Sequence, residues 1–488
     1  MQSYNDIAKT NLVFGGVKVL QVIVNILKTK VVAILLGPVG VGVQTLLIST
    51  VTTLFQFTNF GISQSSVREI SIAKDSTTKD GVLSSLNFMA LAFGVTASIL
   101  CFICAPILSK IIFGDEKATW MLHIVAVSLL FESIATSQIA ILQGLRAIKK
   151  LAISSLLGSV AVLLVSIPIY YYWGEQSIPI VVTIGFLFPA IIYLITRKRH
   201  YTPHNKISEV WRHHAKSILT LGIALMAGNS IMALLNLGLN AFINQYGSSA
   251  AVGYFQAANT CTYSAITILT AILASDFFPR LASKIDKSSE AWEITNTQIE
   301  LFVLVLGPIV SIMILFPEFC IRLLYSSEFL IVSMPVQIMG FSLLFRIPWH
   351  CFSYIILAKG DKKRFLFIDA IIGNGIFFAS NILGFYIAGL KGVAISYVIV
   401  SLIVAIILYS TVHNNYGFTI KRSIMILGVT ILIALSAIFV CTLYEKYFIM
   451  RLLSFIIFLI LLLGSIVIFN RKTHLFNILR CYQKKKNN

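Results

Sequence analysis

Residues 10–36 read TNLVFGGVKVLQVIVNILKTKVVAILL, an apolar run that is long enough to cross a bilayer and yet contains three lysines. A charge in a bilayer core costs roughly 2.5–3.5 kcal/mol on insertion scales. Four polar residues fall within about 80° of one another on a helix through this run: Lys18, Gln21, Asn25 and Lys28. Such a polar stripe is expected to line a water-filled cavity and to attract an anion.

Lys30 lies off this stripe and is expected to extend its ammonium group to the membrane interface. The alternative interpretation is that all three lysines extend to an interface. The sequence favours the cavity because Lys18 is deep in the run and the polar residues share one face.

The composition is that of an all-α protein that crosses a membrane many times. The 488 residues are 57% hydrophobic and 12% charged, with a mean hydropathy of +0.88, values that are not typical of soluble domains. About fourteen apolar runs have spanning length: 10–36, 41–62, 83–112, 119–143, 152–172, 178–196, 217–243, 250–275, 296–316, 333–357, 365–388, 392–411, 423–443 and 449–469.

Basic residues are distributed unevenly between the predicted loops. The net charge is +19, and placing the N-terminus inside assigns 28 of the 38 Lys and Arg residues to cytoplasmic segments. This pattern predicts that both termini are cytoplasmic and that the segments 197–216 and 471–486 meet anionic headgroups. A nucleic-acid-binding protein would concentrate its basic residues in one patch, so this class is excluded.

An internal repeat relates the first six runs to the next six. Matched positions at offsets of 211–215 include Gly42 with Gly253, Gly158 with Gly373, and Gly174 with Gly389. The repeat predicts two six-helix bundles related by a pseudo-two-fold axis along the membrane normal, an arrangement suited to alternating access. The predicted segments are an N-terminal bundle 1–200, a cytoplasmic linker 201–216, a C-terminal bundle 217–413, two additional transmembrane helices 414–470 and a basic cytoplasmic tail 471–488.

Polar but uncharged residues follow one face of several runs. In a wet cavity their amide and hydroxyl groups would suit sugar hydroxyls, whereas hydrogen bonding between packed helices is the alternative, above all for Ser and Thr. The candidate sugar-binding residues are Gln21, Asn25, Gln56, Asn59, Asn229 and Asn236.

The clearest charges within the spans are positive. We predict that Lys18, Lys28 and Arg346 bind an anionic group such as a diphosphate, which Lys holds as a point charge and Arg as a fork. An exporter of cationic drugs would instead need anionic groups in its cavity.

Three titratable residues are candidates for coupling or for contacts between the bundles: Glu132, Asp369 and His350. Glu132 is the deepest carboxylate and matches Arg346 at an offset of 214, which predicts an ion pair between the bundles. The alternative is that each charge is satisfied within its own bundle. His350 follows Pro348 and could titrate near neutral pH, with a neutral histidine as the alternative.

Nothing in the sequence predicts catalysis. It contains no phosphate-binding glycine loop, no metal-ligand spacing and no nucleophile–base pair. Cys101 and Cys104 lie inside a span without a nearby histidine, which favours a structural role. We therefore expect no catalytic residue, no metal site and no cofactor.

Three local segments carry a resemblance to a known family: LGPVGVG at 36–42, FGISQ at 60–64 followed by VREI at 67–70, and LQGLRAIK at 142–149. Together with the twelve-plus-two spans, they resemble the polysaccharide (O-antigen-type) flippases of the multidrug/oligosaccharidyl-lipid/polysaccharide exporter superfamily. The resemblance implies export of an undecaprenyl-diphosphate-linked oligosaccharide across a bacterial inner membrane, with membrane lipids, a polysaccharide polymerase and chain-length machinery as partners.

Two other functions stay open. A cation-coupled multidrug exporter of the same fold would need an acidic cavity. A membrane glycosyltransferase or polymerase would need a large outside loop, and the predicted outside loops are short.

Overall fold

The computed structural model describes residues 4–73, 76–200, 226, 230–444 and 447–473, with side chains described from Leu20 onward at most positions. These residues are almost entirely helical, and no strand occurs among them. The linker 201–216 and the tail beyond residue 473 lie outside the described residues.

The helices follow one another with short connections. In chain order they are α1 (Tyr4–Thr58), α2 (Ile62–Ile72), α3 (Ser76–Phe113), α4 (Thr119–Gly144), α5 (Ile148–Trp173), α6 (Ile178–His200), α7 (230–246), α8 (Ser249–Ile272), α9 (Phe278–Lys284), α10 (Ser288–Leu315), α11 (Pro317–Leu324), α12 (Ser333–Ala358), α13 (Lys362–Phe365), α14 (Asn374–Tyr416), α15 (Arg422–Leu443) and α16 (Phe448–Thr473).

Within the described ranges, nine helical stretches are long and apolar enough to cross a membrane. Three of them are 39, 51 and 54 residues long, whereas one crossing needs about 20 residues. Each of these long stretches therefore has room for two of the spans that the sequence predicts. The predicted fold class, an all-α polytopic membrane protein, is confirmed.

Glycines break the longest helical stretches. Gly37 (φ 61°) divides α1, and Gly389 (φ 57°, ψ −139°) divides α14. Gly174, between α5 and α6, has φ 54° and ψ −140°. Residues with a Cβ rarely adopt this backbone conformation. Gly174 and Gly389 are matched in the sequence repeat, and their dihedral angles agree within a few degrees, as expected for equivalent positions.

The described residues divide into two compact units. Unit 1 comprises those within Met1–Gln256 together with Leu324–Glu328, and unit 2 comprises those within Ala257–Leu323 and Phe329–Asn488. In unit 1, α4 packs against α2, α3 and α6; in unit 2, α12 packs against α10 and α14, and α15 and α16 pack against α10. The predicted segment boundaries stay predictions.

A close helix crossing in unit 1 joins two glycines of the repeat. A Cβ on Gly42 would overlap the Ser249 carbonyl oxygen, and a Cβ on Gly253 would overlap the Pro38 carbonyl oxygen. The second half of α1 and the start of α8 can therefore approach this closely only because both positions lack a side chain.

We expect Gly253→Ala to lower the melting temperature of the purified protein. The added methyl group must push backbone apart, and overpacking of this kind costs about 1–3 kcal/mol. Gly185→Ala is the matched control, since it adds a methyl group to a helical glycine with no atom within 4 Å of the new Cβ. Equal melting temperatures for the two variants would contradict the close crossing.

The segment Leu324–Glu328 packs against the break in α1. The Ser326 hydroxyl donates a hydrogen bond to the Ala33 carbonyl oxygen at 3.3 Å. The Glu328 carboxylate lies 2.8 Å from the position that a Cβ on Gly37 would occupy. Position 37 therefore requires glycine for two reasons: its φ is positive, and a Cβ there would be too close to the Glu328 carboxylate.

Candidate functional site

The predicted basic stripe runs along α1 in unit 1. Gln21 donates a hydrogen bond from Nε2 to the Ser155 hydroxyl of α5 at 2.5 Å, so it connects two helices. Asn25 is exposed and Lys28 is half-buried. Among the described residues, no carboxylate forms an ion pair with Lys28. The Lys18 side chain lies outside the described part of the structure.

A cavity of about 200 Å³ lies between α1, α2 and α4 of unit 1. Its polar lining consists of Gln56, Asn59, Ser63, Thr136 and Gln143. The Asn59 amide donates to the Ser63 hydroxyl at 3.0 Å, and the backbone carbonyl oxygen of Gln56 accepts a hydrogen bond from the Ser230 hydroxyl at 3.2 Å. Amides and hydroxyls without a net charge are the groups that hydrogen-bond to sugar hydroxyls.

The structure brings Gln56 and Asn59 together, two residues that the sequence singles out as sugar-binding candidates. Two further residues line the same cavity but are not among the sequence-based candidates, Thr136 and Gln143 of α4. Their spacing of seven residues places them on one helical face, and this periodicity could have identified them.

The other sugar-binding candidates are not brought into this cavity. Asn236 is an exposed residue of α7. Asn229 lies outside the described residues. The roles of Gln21, Asn25, Asn229 and Asn236 stay predictions.

Arg346 of α12 lies among three aromatic rings of unit 2. The centre of its guanidinium is 4.8 Å from the centroid of Tyr263, 5.0 Å from that of Trp349 and 4.7 Å from that of Phe377. Its Nε atom is buried and has no hydrogen-bond partner among the described residues. Cation–π contacts of desolvated groups are worth about 2 kcal/mol or more each, so the rings stabilise the charge without supplying a counter-ion.

A second layer of contacts fixes these rings. Tyr397 of α14 lies edge-on to Tyr263 and to Phe377, with centroid separations of 5.7 and 4.6 Å. Its hydroxyl donates to the Asn259 carbonyl oxygen Oδ1 at 3.3 Å. Helices α8, α12 and α14 therefore hold the guanidinium in place. The sequence identifies Arg346 but not the aromatic cage of Tyr263, Trp349 and Phe377.

The coupling candidates have contacts within their own units. Glu132 is half-buried in α4 and accepts a hydrogen bond from Thr136 at 3.3 Å. His350 is half-buried and stacks on Trp349 with a centroid separation of 6.1 Å. The Asp369 side chain lies outside the described part of the chain. The pairing of Glu132 with Arg346 stays a prediction.

One sequence-based expectation needs correction. The sequence predicts that Arg197 begins a cytoplasmic segment that meets headgroups, but Arg197 lies within α6 and is only 6% exposed. Its Nε donates to the Gln138 carbonyl oxygen Oε1 at 2.9 Å, and Gln138 in turn donates to Asn87 at 2.9 Å. The amide of Gln138 draws the long arginine side chain inward against α4.

No metal centre is evident in the described ranges. Within them, no three His, Cys, Asp or Glu residues converge as a metal site would require. Unit 1 has a neutral polar cavity and a half-buried lysine, Lys28, and unit 2 has the caged guanidinium of Arg346.

Solved structures share this fold. The lipid II flippase MurJ in an inward closed conformation has a TM-score of 0.68 and 17% identity, covering 94% of this chain and 99% of that chain. An inward-facing multidrug resistance MATE family transporter of the MOP superfamily has a TM-score of 0.68 and 16% identity, covering 84% and 96%. A MOP superfamily transporter from Pyrococcus furiosus, described as having a binding pocket of reverse polarity, has a TM-score of 0.57 and 15% identity, covering 82% and 92%.

These similarities define a multi-pass membrane protein with the fold of the MOP transporters. More particularly, the chain belongs to the family described as "Polysaccharide biosynthesis protein", whose sequence profile matches residues 31–334. No curated protein matches the sequence. The match confirms the predicted resemblance to a polysaccharide biosynthesis family.

Proposed function

We propose that the protein is a flippase that exports an undecaprenyl-diphosphate-linked oligosaccharide, such as an O-antigen repeat unit, across a bacterial inner membrane. It works by alternating access and makes or breaks no covalent bond. The observation that carries this proposal is the guanidinium of Arg346, held inside a membrane protein by three rings and by no described carboxylate. Such a cation attracts an anion and repels a cationic drug.

The proposed substrate has three parts with different chemistry. The diphosphate would bind Lys18, Lys28 and Arg346, since ammonium and guanidinium groups form charge-assisted hydrogen bonds with phosphate oxygens. The sugars would contact neutral polar residues, with Gln56 and Asn59 at the cavity of unit 1. The polyprenyl tail would stay in the lipid phase, because it is apolar and has no group that needs a hydrogen-bond partner.

The fold alone does not separate this function from multidrug export, because the MurJ and MATE structures have the same TM-score. The charge of the transported molecule does separate the two functions. In proteoliposomes with the purified protein, a fluorescent polyprenyl-diphosphate disaccharide should cross the bilayer, and the corresponding neutral polyprenyl alcohol disaccharide should not. Transport of ethidium without transport of the diphosphate lipid would support the multidrug exporter and refute our proposal.

The proposed orientation places both termini in the cytoplasm. A green fluorescent protein fused after the last residue should fluoresce, and alkaline phosphatase at the same position should be inactive, because the basic tail is held on the inner side. A fusion after Lys117, in a predicted outside loop, is the control and should show the opposite pattern. An active phosphatase at the C-terminus would contradict the proposed orientation.

A further inference from the structure

A second cavity, of about 410 Å³, lies in unit 2 and takes no part in the proposed function. Its walls come from the end of α10, the last turn of α15 and the start of α16, and we call it the α10–α15–α16 cavity. The volume is within the range of about 300–1,000 Å³ that is typical of small-molecule sites.

The α10–α15–α16 cavity is at the depth of the lipid headgroups. Each of the three helices is long and apolar enough to cross a membrane, and the cavity adjoins the ends of these stretches at Leu315, Leu443 and Phe448. Tyr444 and Tyr447, in the connection between α15 and α16, are exposed. Tyrosines are enriched where a span meets the headgroups, so the cavity faces the boundary between headgroups and acyl chains.

Most of the cavity wall is apolar and open to the side. The apolar lining residues are Leu315, Phe316, Phe448, Leu452 and Phe455, and all but Leu315 are exposed. Exposed apolar side chains on a membrane-spanning helix contact lipid chains. An acyl chain can therefore enter this cavity from the bilayer.

The three polar lining residues define which headgroup fits. The Thr442 hydroxyl donates to the Phe439 carbonyl oxygen at 2.7 Å, and the Ser454 hydroxyl donates to the Arg451 carbonyl oxygen at 2.8 Å. Both protons are thus used within their own helices, and both oxygens remain acceptors. The exposed Arg451 guanidinium has five N–H donors, so it can bind a phosphate besides its interactions within the protein.

The segments that line the cavity have one surplus positive charge. Residues 315–323 contain Glu318 and Arg322, which pair at 3.7 Å and cancel. Residues 442–455 contain Glu445 (−1), Lys446 (+1) and Arg451 (+1), a sum of +1; the first two lie outside the described residues. A basic site at headgroup depth attracts anionic lipids, and one charge matches a lipid with one phosphate.

We propose that the α10–α15–α16 cavity binds one anionic phospholipid with a single phosphate, such as phosphatidylglycerol. The phosphate contacts Arg451, the headgroup hydroxyls donate to Thr442 and Ser454, and an acyl chain covers the apolar wall.

Other membrane lipids fit this chemistry less well. The ammonium group of phosphatidylethanolamine would lie beside the guanidinium, and none of the described lining residues is acidic. Cardiolipin would bring a second phosphate without a second cation in the described lining. The proposed export substrate has many sugar hydroxyls, for which three polar residues provide too few partners.

The test is photolabelling of the full-length protein in a maltoside detergent. Phosphatidylglycerol with a photoreactive diazirine in one acyl chain should label the start of α16 or the end of α10, as located by mass spectrometry of peptides. Unlabelled phosphatidylglycerol should compete at an about tenfold lower concentration than phosphatidylethanolamine, since a charge-assisted hydrogen bond favours the anion. The measurement involves no transport, so its result is independent of the proposed function.

Two variants and one control locate the site. Arg451→Gln should make the two lipids compete equally, and Thr442→Phe should reduce labelling because the ring fills the cavity. Arg422→Gln is the matched control, since Arg422 is an exposed residue at the opposite end of α15 and does not line the cavity. It should keep both the labelling and the preference of the wild type.

Equal competition by the two phospholipids in the wild type overturns the proposal, because it indicates non-selective contact with bulk lipid. A preference that persists in Arg451→Gln also overturns it. Should Arg451→Gln fail to fold, as judged by its elution volume, undiminished labelling of Thr442→Phe has the same meaning. Stronger competition by a polyprenyl-diphosphate disaccharide than by phosphatidylglycerol would assign the cavity to that lipid and refute the proposal.

Discussion

Lys18→Ala/Lys28→Ala is expected to abolish export while the protein still reaches the membrane. Each lysine would supply charge-assisted hydrogen bonds to the diphosphate, worth about 1.5–3 kcal/mol apiece. Loss of both should weaken substrate binding by about a hundredfold or more, since 1.4 kcal/mol corresponds to a factor of ten. The measurement is transport of the fluorescent diphosphate lipid, normalised to the amount of protein in the membrane.

Lys30→Ala is the matched control for this double variant. Lys30 is on the same helix but lies off the stripe, so its loss should leave transport within about twofold of wild type, as for surface changes away from a site. Lys18→Arg should retain more transport than Lys18→Ala because the charge remains. Wild-type transport by the double variant would show that Lys18 and Lys28 do not bind the substrate.

Arg346→Lys is expected to lose transport by about tenfold or more despite keeping the charge. An ammonium group cannot stack as a plane against Tyr263, Trp349 and Phe377, and it cannot bind a diphosphate in a bidentate manner. Arg346→Gln should lose at least as much. The same transport assay measures both, and thermal melting shows whether the aromatic cage still folds.

Arg322→Lys provides the control, because Arg322 is an exposed residue of α11 near Glu318. It should transport as the wild type does. Phe377→Leu should fall between wild type and Arg346→Lys, since it removes one ring of the cage and keeps the arginine. An Arg346→Lys variant with full activity would show that only the charge matters.

The sequence predicts the membrane spans well because the apolar runs are long and separated by charged or glycine-containing segments. It also identifies the positions of the helix breaks, since Gly37 and Gly389 fall between predicted spans and both have positive φ. Long helices in a membrane are specified locally, by hydropathy and by backbone freedom. These features need no knowledge of tertiary contacts.

The site is predicted less completely, for a physical reason. Hydropathy marks Arg346 as anomalous, but the rings around it come from α8, α12 and α14 and meet only in the folded unit. A helical face alone also does not tell an exposed residue such as Asn25 from a cavity residue such as Gln56. Arg197 shows the same limit, because its buried partner Gln138 lies on another helix.

The glycine breaks at Gly174 and Gly389 have a consequence for proteolysis. At both positions one helical segment passes directly into the next, with only a short 3₁₀ turn at Gly174–Ser177 and no loop within α14. Proteases cleave exposed, flexible loop tips that can adapt to their active sites. These two turns offer no such backbone, so intact membranes treated with a soluble protease should keep the α5–α6 hairpin and the whole of α14 uncut.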